Sequence, residues 1–288
     1  MVTIFTPTYN RAYIIGKLYG SLLEQTDRNF EWLIVDDGST DNTRELIGSF
    51  IREDRISIRY FRQENGGKYR AINRGVREAA GELFFIVDSD DQLTPEAVAR
   101  IVYHYETVRE DKTFAGVCGL KAYFSGEKVG RESDFGILDC NALDYRFKYA
   151  IKGDMAEVFR TGILREYPFP EIEGEKFCPE GLIWNRIARK YRLRYFYEKI
   201  YLCDYLPDGL TAGIVKLRMR SPLTSMTYYS ELYHSPIPFL QRMKAAVNYW
   251  RFAFCSDRYL SAKIRQIGFC SLPLFPIGFL LHLKDKRS

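Results

Sequence analysis

Residues 82–91 read Glu82-Leu83-Phe84-Phe85-Ile86-Val87-Asp88-Ser89-Asp90-Asp91. The five apolar residues in this stretch predict a short strand that is buried on both faces. Three carboxylates then follow within four residues, before Thr94 and Pro95 indicate the start of a helix. The acidic cluster is therefore expected at the carboxyl end of a central strand, where open α/β sheets bind their ligands.

The acidic cluster predicts a metal site. Carboxylates this close together repel one another unless a positive charge neutralises them. Their oxygens are hard ligands that suit Mg2+ or Mn2+, and such ions keep positions open for substrate phosphates. We therefore predict a site for a metal ion and a diphosphate. An acidic loop exposed to solvent is the alternative that the cluster alone leaves open.

The composition describes a folded protein with an uneven charge. The chain has 288 residues, of which 46% are hydrophobic, and this excludes a mainly disordered protein. The net charge of +5 divides into −4 for residues 1–214 (30 Lys+Arg, 34 Asp+Glu) and +9 for residues 215–288 (12 and 3). We expect a main domain over 1–214 that binds no nucleic acid, and a basic, aromatic extension over 215–288 that contacts a surface.

The cysteines and the first residues favour a cytoplasmic protein. The six cysteines form no Cys-x-x-Cys pair and show no zinc spacing. Residues 1–5 carry no basic segment and predict a strand rather than a secretory signal. We therefore expect reduced thiols rather than a disulfide framework.

Strands and helices alternate along the first half of the chain. Apolar runs predict strands over 2–7, 31–35, 56–61 and 83–87, and apolar residues at helical spacing lie between them. This alternation predicts an α/β fold with a doubly wound, mostly parallel sheet flanked by helices. Polar residues that follow strands should meet at one edge of this sheet, and they are Pro7–Tyr9, Asp36–Asp37, Lys68 and Asp88–Asp91.

Four motifs in this order resemble the family-2 inverting glycosyltransferases, which have the GT-A fold. They are Thr6-Pro7-Thr8-Tyr9-Asn10-Arg11, Val35-Asp36-Asp37-Gly38-Ser39-Thr40-Asp41, Asn65-Gly66-Gly67-Lys68 with Asn73-Arg74-Gly75, and Asp88-Ser89-Asp90-Asp91. The resemblance is clearest over the first 110 residues or so. It implies an enzyme that transfers a sugar from a nucleotide-diphosphosugar to an acceptor hydroxyl, with a UDP-sugar as the expected donor. Cell-surface polysaccharide or glycan assembly is the process it suggests.

The resemblance places three residues around the nucleobase. Pro7 and Tyr9 would flank the base, and Asp37 would accept a hydrogen bond from a uracil-type N–H. Each residue also has a purely structural interpretation, in which Pro7 and Tyr9 pack the first loop and Asp37 caps the next helix.

The resemblance places the remaining donor residues around the ribose, the diphosphate and the metal. Lys68 would lie near the base or the phosphates, although it could equally be solvated. Asp88 would approach the ribose, with Ser89 in the same donor site. Asp90, with Asp91, would bind Mn2+ or Mg2+, and the ion would hold the diphosphate.

The second half of the chain carries the candidates for the acceptor side. Asp154 precedes a strand-like pattern and either contacts the acceptor or caps a turn. Glu180 stands before a predicted helix, at the place of the family's acidic base, although the sequence reads Pro-Glu-Gly rather than Glu-Asp. Its alternative role is that of an acid at a helix N-terminus, and Glu175 is the second candidate for the base.

A third metal ligand, often histidine, follows the last strand of the catalytic domain in some relatives. That strand is predicted over 201–205, and the three histidines of this chain lie elsewhere. Asp204, Asp208 and water are the alternatives that remain.

The C-terminal extension predicts contact with a membrane or with a second subunit. Apolar and aromatic residues repeat every three or four positions over 239–254, opposite basic and polar ones. Residues 267–283 are largely apolar but are interrupted by Pro273 and Pro276. We expect 238–288 to bind the inner face of the cell membrane, near a lipid-linked acceptor. Packing on the catalytic body or in a homo-oligomer is the alternative.

Three other classes of protein are weighed against a glycosyltransferase. A nucleotidyltransferase should open with a glycine- and arginine-rich phosphate loop, which Pro7-Thr8-Tyr9-Asn10 is not. A non-catalytic nucleotide-sugar- or membrane-binding protein would keep the crevice and lack the base. A nicotinamide dehydrogenase is disfavoured because no G-x-G-x-x-G follows the first strand.

Overall fold

The computed structural model describes residues 1–133, 135–204 and 213–287. They form two compact units, of which the first comprises Met1–Pro168 with Ile187–Asp204. The second comprises Phe169–Arg186 and the described part of 205–288. These bounds differ from the expected 1–214 and 215–288. The 169–186 segment is hydrogen-bonded to the residue that precedes a helix of the second unit, from the Phe177 amide to the Ser221 hydroxyl, 3.1 Å.

The first unit is built around one mixed sheet with helices on its flanks. Its elements follow in the order β1 (Val2–Thr8), α1 (Ile15–Leu23), β2 (Phe30–Asp36), α2 (Thr43–Glu53), β3 (Ile58–Arg62), α3 (Lys68–Glu78), β4 (Leu83–Ile86), β5 (Gln92–Leu93), α4 (Ala97–Glu106), β6 (Phe114–Tyr123), β7 (Ile137–Cys140), a π-helical turn (Asp144–Lys148), β8 (Met155–Arg160), α5 (Thr161–Glu166) and β9 (Arg192–Cys203).

The strands of the first unit lie in the order β3-β2-β1-β4-β8-β6-β9-β5, and β7 pairs with β9. The pairs β1–β2, β1–β4, β2–β3 and β6–β9 are parallel. The pairs β4–β8, β6–β8, β5–β9 and β7–β9 are antiparallel. The predicted α/β fold is confirmed. Each antiparallel pair contains β8 or β9.

The core of the first unit follows from the continuous apolar runs. Every residue of β1 and of β2 is buried, as expected for strands covered on both faces. On one face the ring of Tyr19 stacks on that of Phe50, with centroids 4.1 Å apart. On the other, α3 lies so close to the sheet that a Cβ on Gly75 would be 2.1 Å from the Phe5 ring.

The second unit is helical among its described residues. Its elements are α6 (Gly181–Ala188, which begins in this unit), α7 (Ile214–Arg220), α8 (Pro222–Tyr233), α9 (Phe239–Ala253), α10 (Leu260–Ile267), a 3-10 helix (Phe269–Leu274) and α11 (Phe275–Arg287).

Helix α9 forms the centre of the second unit. Its Ala246, Tyr249, Trp250 and Phe252 are at most 1% exposed, and α9 contacts both α8 and α11. Of the apolar face predicted for 239–254, Trp250 is buried, whereas Phe239 and Leu240 are 72% and 63% exposed. No single described helix is long and apolar enough to cross a membrane. Leu260–Ile267 and Phe269–Arg287 have the length and apolar composition of a span only when taken together, and they are bent by 108° to each other.

Candidate active site

The crevice of the first unit opens between the carboxyl ends of β1 and β4. The chain passes from β1 to β2 and β3 on one side and returns to β4 on the other, so the strand order reverses at β1. The Val87 amide donates to the Phe5 carbonyl oxygen, 2.9 Å. Alternate residues of a strand direct their backbone groups to the same neighbouring strand. After Phe5, the next residue of β1 to face β4 is therefore Pro7, which has no N–H to donate. The two strands therefore separate at this point.

One tyrosine fixes the turn after β4. The Asp88 amide donates to the Tyr201 hydroxyl, 3.0 Å, and this hydroxyl donates to Asp91 Oδ2, 2.5 Å. Tyr201 lies on β9 and is 1% exposed. The Asp91 amide in turn donates to the Asp88 carbonyl oxygen, 3.1 Å. The acidic turn is thus attached to a strand more than a hundred residues further along the chain.

Two lysines approach the same turn. Lys68 Nζ, at the start of α3, lies 2.7 and 2.9 Å from the two carboxylate oxygens of Asp88. Lys121 Nζ, on β6, lies 3.9 Å from the centre of the Tyr201 ring. Burial would raise the pKa of Asp88, but the charges of Lys68 and Lys121 hold that pKa below its ordinary value. Asp88 is therefore ionised and paired.

For the other two aspartates, nearby positive charge does not outweigh burial and the repulsion of Asp88. Burial, followed by the negative charge of Asp88, raises the pKa of Asp90 and brings the pKa of Asp91 to about 7. Asp91 is buried against Tyr201, whereas Asp90 is half-buried. The Asp90 carboxylate makes no ion pair or hydrogen bond to another residue in the part of the chain that the structure describes.

These oxygens fit a divalent cation. Hard carboxylate ligands whose pKa is raised by neighbouring negative charge gain from a nearby positive ion. Within the described residues, no group of three or more His, Cys, Asp or Glu side chains is arranged to hold a metal. Asp90 would thus be the protein ligand, with diphosphate oxygens and water completing the shell of Mg2+ or Mn2+. That Asp91 is a second ligand stays a prediction.

Asp37 holds the glycine loop that leads to Lys68. Its Oδ1 accepts from Gln63 Nε2 at 2.8 Å and from the Gly66 amide at 3.0 Å, and its Oδ2 accepts from the Gly67 amide at 2.7 Å. A carboxylate offers about four lone-pair positions, so three donors leave about one for a ligand. Asp37 is 4% exposed and positions the first turn of α3. Its contact with a nucleobase stays a prediction.

The loop after β1 presents Tyr9 to solvent. Asn10 has a positive φ of 53°, its amide donates to Ser39 Oγ at 2.9 Å, and its Oδ1 accepts from the Thr40 amide at 2.8 Å. These bonds tie the loops after β1 and β2 together. Tyr9 is 47% exposed beside them, and its ring is available for stacking. Pro7, by contrast, is buried in β1.

The remaining predicted residues of the first unit lie at the same sheet edge. Ser89 is buried within the acidic turn. Asp154 precedes β8, which is antiparallel to β4, so this exposed residue lies at the edge where β4 ends. Asp204 follows β9 and is exposed at that edge as well. Asp208 lies outside the described residues.

The two glutamates predicted for the acceptor side lie in the second unit. The Glu175 carboxylate accepts from the amides of Leu223 at 2.6 Å and of Thr224 at 2.9 Å, and so caps the start of α8. Glu180 is half-buried, and its carbonyl oxygen accepts from the Ile183 amide, 2.9 Å, at the start of α6. Its role as base stays a prediction.

The sequence interpretation missed Lys121 and Tyr201. Lys121 is the one charged residue in the strand Phe114–Tyr123, and this interruption of an apolar run was a usable signal. Tyr201 gave no comparable signal, because its role depends on the pairing of β5 and β9.

The fold and this edge define a GT-A type of domain. A sequence profile described as Glycosyl transferase family 2 matches residues 3–151, which is just over half of the chain. The chain therefore belongs to glycosyl transferase family 2, as the four motifs indicated.

Individual relatives support the same family. Glycosyltransferase GlyG of Streptococcus pneumoniae is 36% identical over 111 residues, and the match covers 38% of this chain and 36% of GlyG. The chain thus matches about a third of that relative's length. A GalNAc(5)-diNAcBac-PP-undecaprenol beta-1,3-glucosyltransferase of Campylobacter jejuni is 26% identical over 230 residues, 75% of this chain and 68% of that protein.

A solved structure supports the fold. The crystal structure of S. aureus TarS 1-349 in complex with UDP-GlcNAc superposes with a TM-score of 0.65 at 18% identity. The superposition covers 96% of this chain and 79% of that one.

Proposed function

We propose that this protein is a metal-dependent, inverting glycosyltransferase that moves a sugar from a nucleotide-diphosphosugar to an acceptor hydroxyl. The observation that carries this proposal is the position of the Asp90 carboxylate. It lies at the β1/β4 crevice, beside the Lys68–Asp88 ion pair, with its pKa raised by burial and then by the charge of Asp88.

The donor would be held by the residues of this sheet edge. Asp90 would hold a divalent cation, which would supply positive charge for the leaving diphosphate. Lys68 would add a positive charge on the same side while keeping Asp88 ionised. Tyr9 would stack on the nucleobase, and the remaining acceptor position of Asp37 would receive a base N–H. A UDP-sugar is the proposed donor, and the UDP-GlcNAc complex of TarS, which shares this fold, supports it.

The acceptor must lose its hydroxyl proton as it attacks the anomeric carbon. We propose that Glu180 accepts this proton as the general base, because the family resemblance places Glu180 at the position of the base. One displacement inverts the anomeric configuration and needs no covalent intermediate. A lipid-linked acceptor is supported by the C. jejuni relative, whose name includes a PP-undecaprenol glycan.

Release of free UDP tests both assignments. The purified protein is incubated with a panel of UDP-sugars, Mn2+ and acceptors, and UDP is measured over time. Asp90→Asn and Glu180→Gln should each lose at least about a hundredfold in turnover, because each removes a group that acts on the reacting atoms.

Two matched variants serve as controls. Asp257→Asn changes an exposed carboxylate of the second unit and should keep full turnover. Glu175→Gln should lower stability through the α8 cap while turnover at low temperature persists. Wild-type turnover in Asp90→Asn would refute the metal-ligand assignment. Sugar-nucleotide binding with no UDP release for any acceptor would point to a non-catalytic binding protein.

A further inference from the structure

Helix α11 has a fixed orientation in the second unit. A Cβ on Gly278 would lie 2.5 Å from Trp250 Cβ, so α11 approaches α9 closely at this residue. His282, one turn further, is 3% exposed. Asp285, one turn further again, forms two bonds of 2.5 and 2.7 Å with the guanidinium of Arg251. These residues together define the face of α11 that is packed on the protein.

The opposite face of α11 is apolar and exposed. Ile277 is 48% exposed, Leu280 is 66% and Leu283 is 36%, and their spacing of three places them on one side of the helix. We call these three residues the apolar strip. Phe269, in the preceding 3-10 helix, is 75% exposed as well. Large apolar side chains in such a row mark a binding surface rather than ordinary surface residues.

Positive charge continues the apolar strip. Lys284 and Arg287 follow on the same side of α11, and both are exposed. The acid of this helix, Asp285, faces inward and is neutralised by Arg251. The outer face therefore presents three apolar side chains and then two unopposed cationic ones.

We propose that the apolar strip binds the surface of a bilayer that contains anionic lipids. An interfacial helix buries its apolar face at the boundary between headgroups and acyl chains, while its Lys and Arg side chains bind anionic headgroups. Since the inner face of α11 is packed on α9, this helix would lie along the membrane surface. A second copy of the chain is a poorer partner because its own 215–288 region also carries +9 and would repel the first.

Vesicle co-sedimentation with the full chain tests this proposal. Wild-type protein is expected to bind vesicles of phosphatidylglycerol and phosphatidylcholine more tightly than vesicles of phosphatidylcholine alone, and added salt should weaken the binding. Ile277→Ser with Leu280→Ser should reduce binding about tenfold or more, because two large apolar side chains leave the interface. The matched control is Ile51→Ser with Ile137→Ser, which changes residues of the first unit that are 42% and 56% exposed.

A charge variant separates the two contributions. Lys284→Gln with Arg287→Gln should lower binding about tenfold on anionic vesicles and leave the weak binding to neutral vesicles unchanged. Unchanged melting temperatures verify that these surface variants fold. Binding is scored without turnover, so this result does not depend on glycosyl transfer.

Three outcomes would overturn the proposal. The first is wild-type protein that stays in solution with anionic vesicles, and the second is a strip variant (Ile277→Ser with Leu280→Ser) that binds as well as the matched control. The third is a wild-type dimer, seen by light scattering, that the strip variant dissociates, because a second copy would then cover this face.

Discussion

Tyr201 connects both ends of the acidic turn through one hydroxyl group. Without this hydroxyl, the Asp88 amide and the Asp91 carboxylate each lose one hydrogen bond. Such a loss costs about 1–3 kcal/mol of folding free energy. We expect Tyr201→Phe to lose stability by about that amount in urea unfolding. We also expect a 10–100-fold weaker affinity for Mn2+ in the presence of UDP, since groups that orient metal ligands have effects of about this size.

The control for this variant is Tyr103→Phe. Tyr103 is 58% exposed on α4, and its ring lies 4.5 Å from the Arg100 guanidinium, a contact that phenylalanine keeps. Its stability and Mn2+ affinity should match the wild type. Wild-type affinity for Mn2+ in Tyr201→Phe, measured by titration, would mean that the hydroxyl does not position Asp90.

Asp91 gives the stability a specific pH dependence. Its ordinary pKa is 3.8 and burial, then the Asp88 charge, raises it to about 7 in the folded protein. Between these values the folded state retains a proton that the unfolded chain has lost. The ionised group therefore destabilises the fold increasingly as the pH rises from about 4 to about 7, with no further change above.

Asp91→Asn removes this dependence while it keeps an oxygen for Tyr201. Without metal, the variant should be up to about 4 kcal/mol more stable than the wild type at pH 8 and nearly equal at pH 4. Urea unfolding at several pH values measures the difference. The same difference at pH 4 and pH 8 would contradict the raised pKa.

At the scale of the element, helix α3 depends on one small residue. Gly75 faces β1, and a methyl group there would overlap the Phe5 ring, whose nearest atom would be 2.1 Å away. Gly75→Ala should therefore shift α3 and cost about 1–3 kcal/mol. Because α3 carries Lys68 at its first turn, Km for the nucleotide sugar should rise as well.

Gly20→Ala on α1 is the matched control. A Cβ at Gly20 meets nothing within 4 Å, so alanine should stabilise the protein by up to about 1 kcal/mol through helix propensity alone. Urea unfolding of both variants measures the contrast. Equal stability of the two would show that α3 does not need the close approach.

Element boundaries show where sequence patterns fail. Strand β9 extends over Arg192–Cys203, whereas apolarity indicated only its last residues, because Arg192 and Arg194 interrupt the pattern. These arginines pair with Asp111 and Asp139 at 3.0 and 2.6 Å, so a charged segment can lie in the sheet. The strands β1 and β2 were predictable because every one of their residues is buried.

At the scale of the molecule, local motifs indicate only those candidate residues that lie next to the early strands and helices. Tyr9, Asp37, Lys68 and Asp90 all follow strands or open helices of the first 91 residues, where parallel βαβ units fix the common edge. The insertion of β8 between β4 and β6 is a long-range pairing with no local sequence signal. Lys121 lies on β6 beyond this pairing, and Tyr201 reaches the acidic turn through the pairing of β5 with β9, so no motif of the first 91 residues indicates either of them.

The last prediction concerns the stability of the whole molecule with metal and nucleotide. If Asp90 and a diphosphate share one cation, UDP and Mn2+ together should raise the melting temperature by more than the sum of their separate effects. At a hundred times the Kd the expected stabilisation is about 2.7 kcal/mol. Differential scanning fluorimetry with UDP, Mn2+, both, or both with EDTA measures this. Asp90→Asn should abolish the excess and Asp257→Asn should keep it, whereas an excess that persists in Asp90→Asn would place the cation elsewhere.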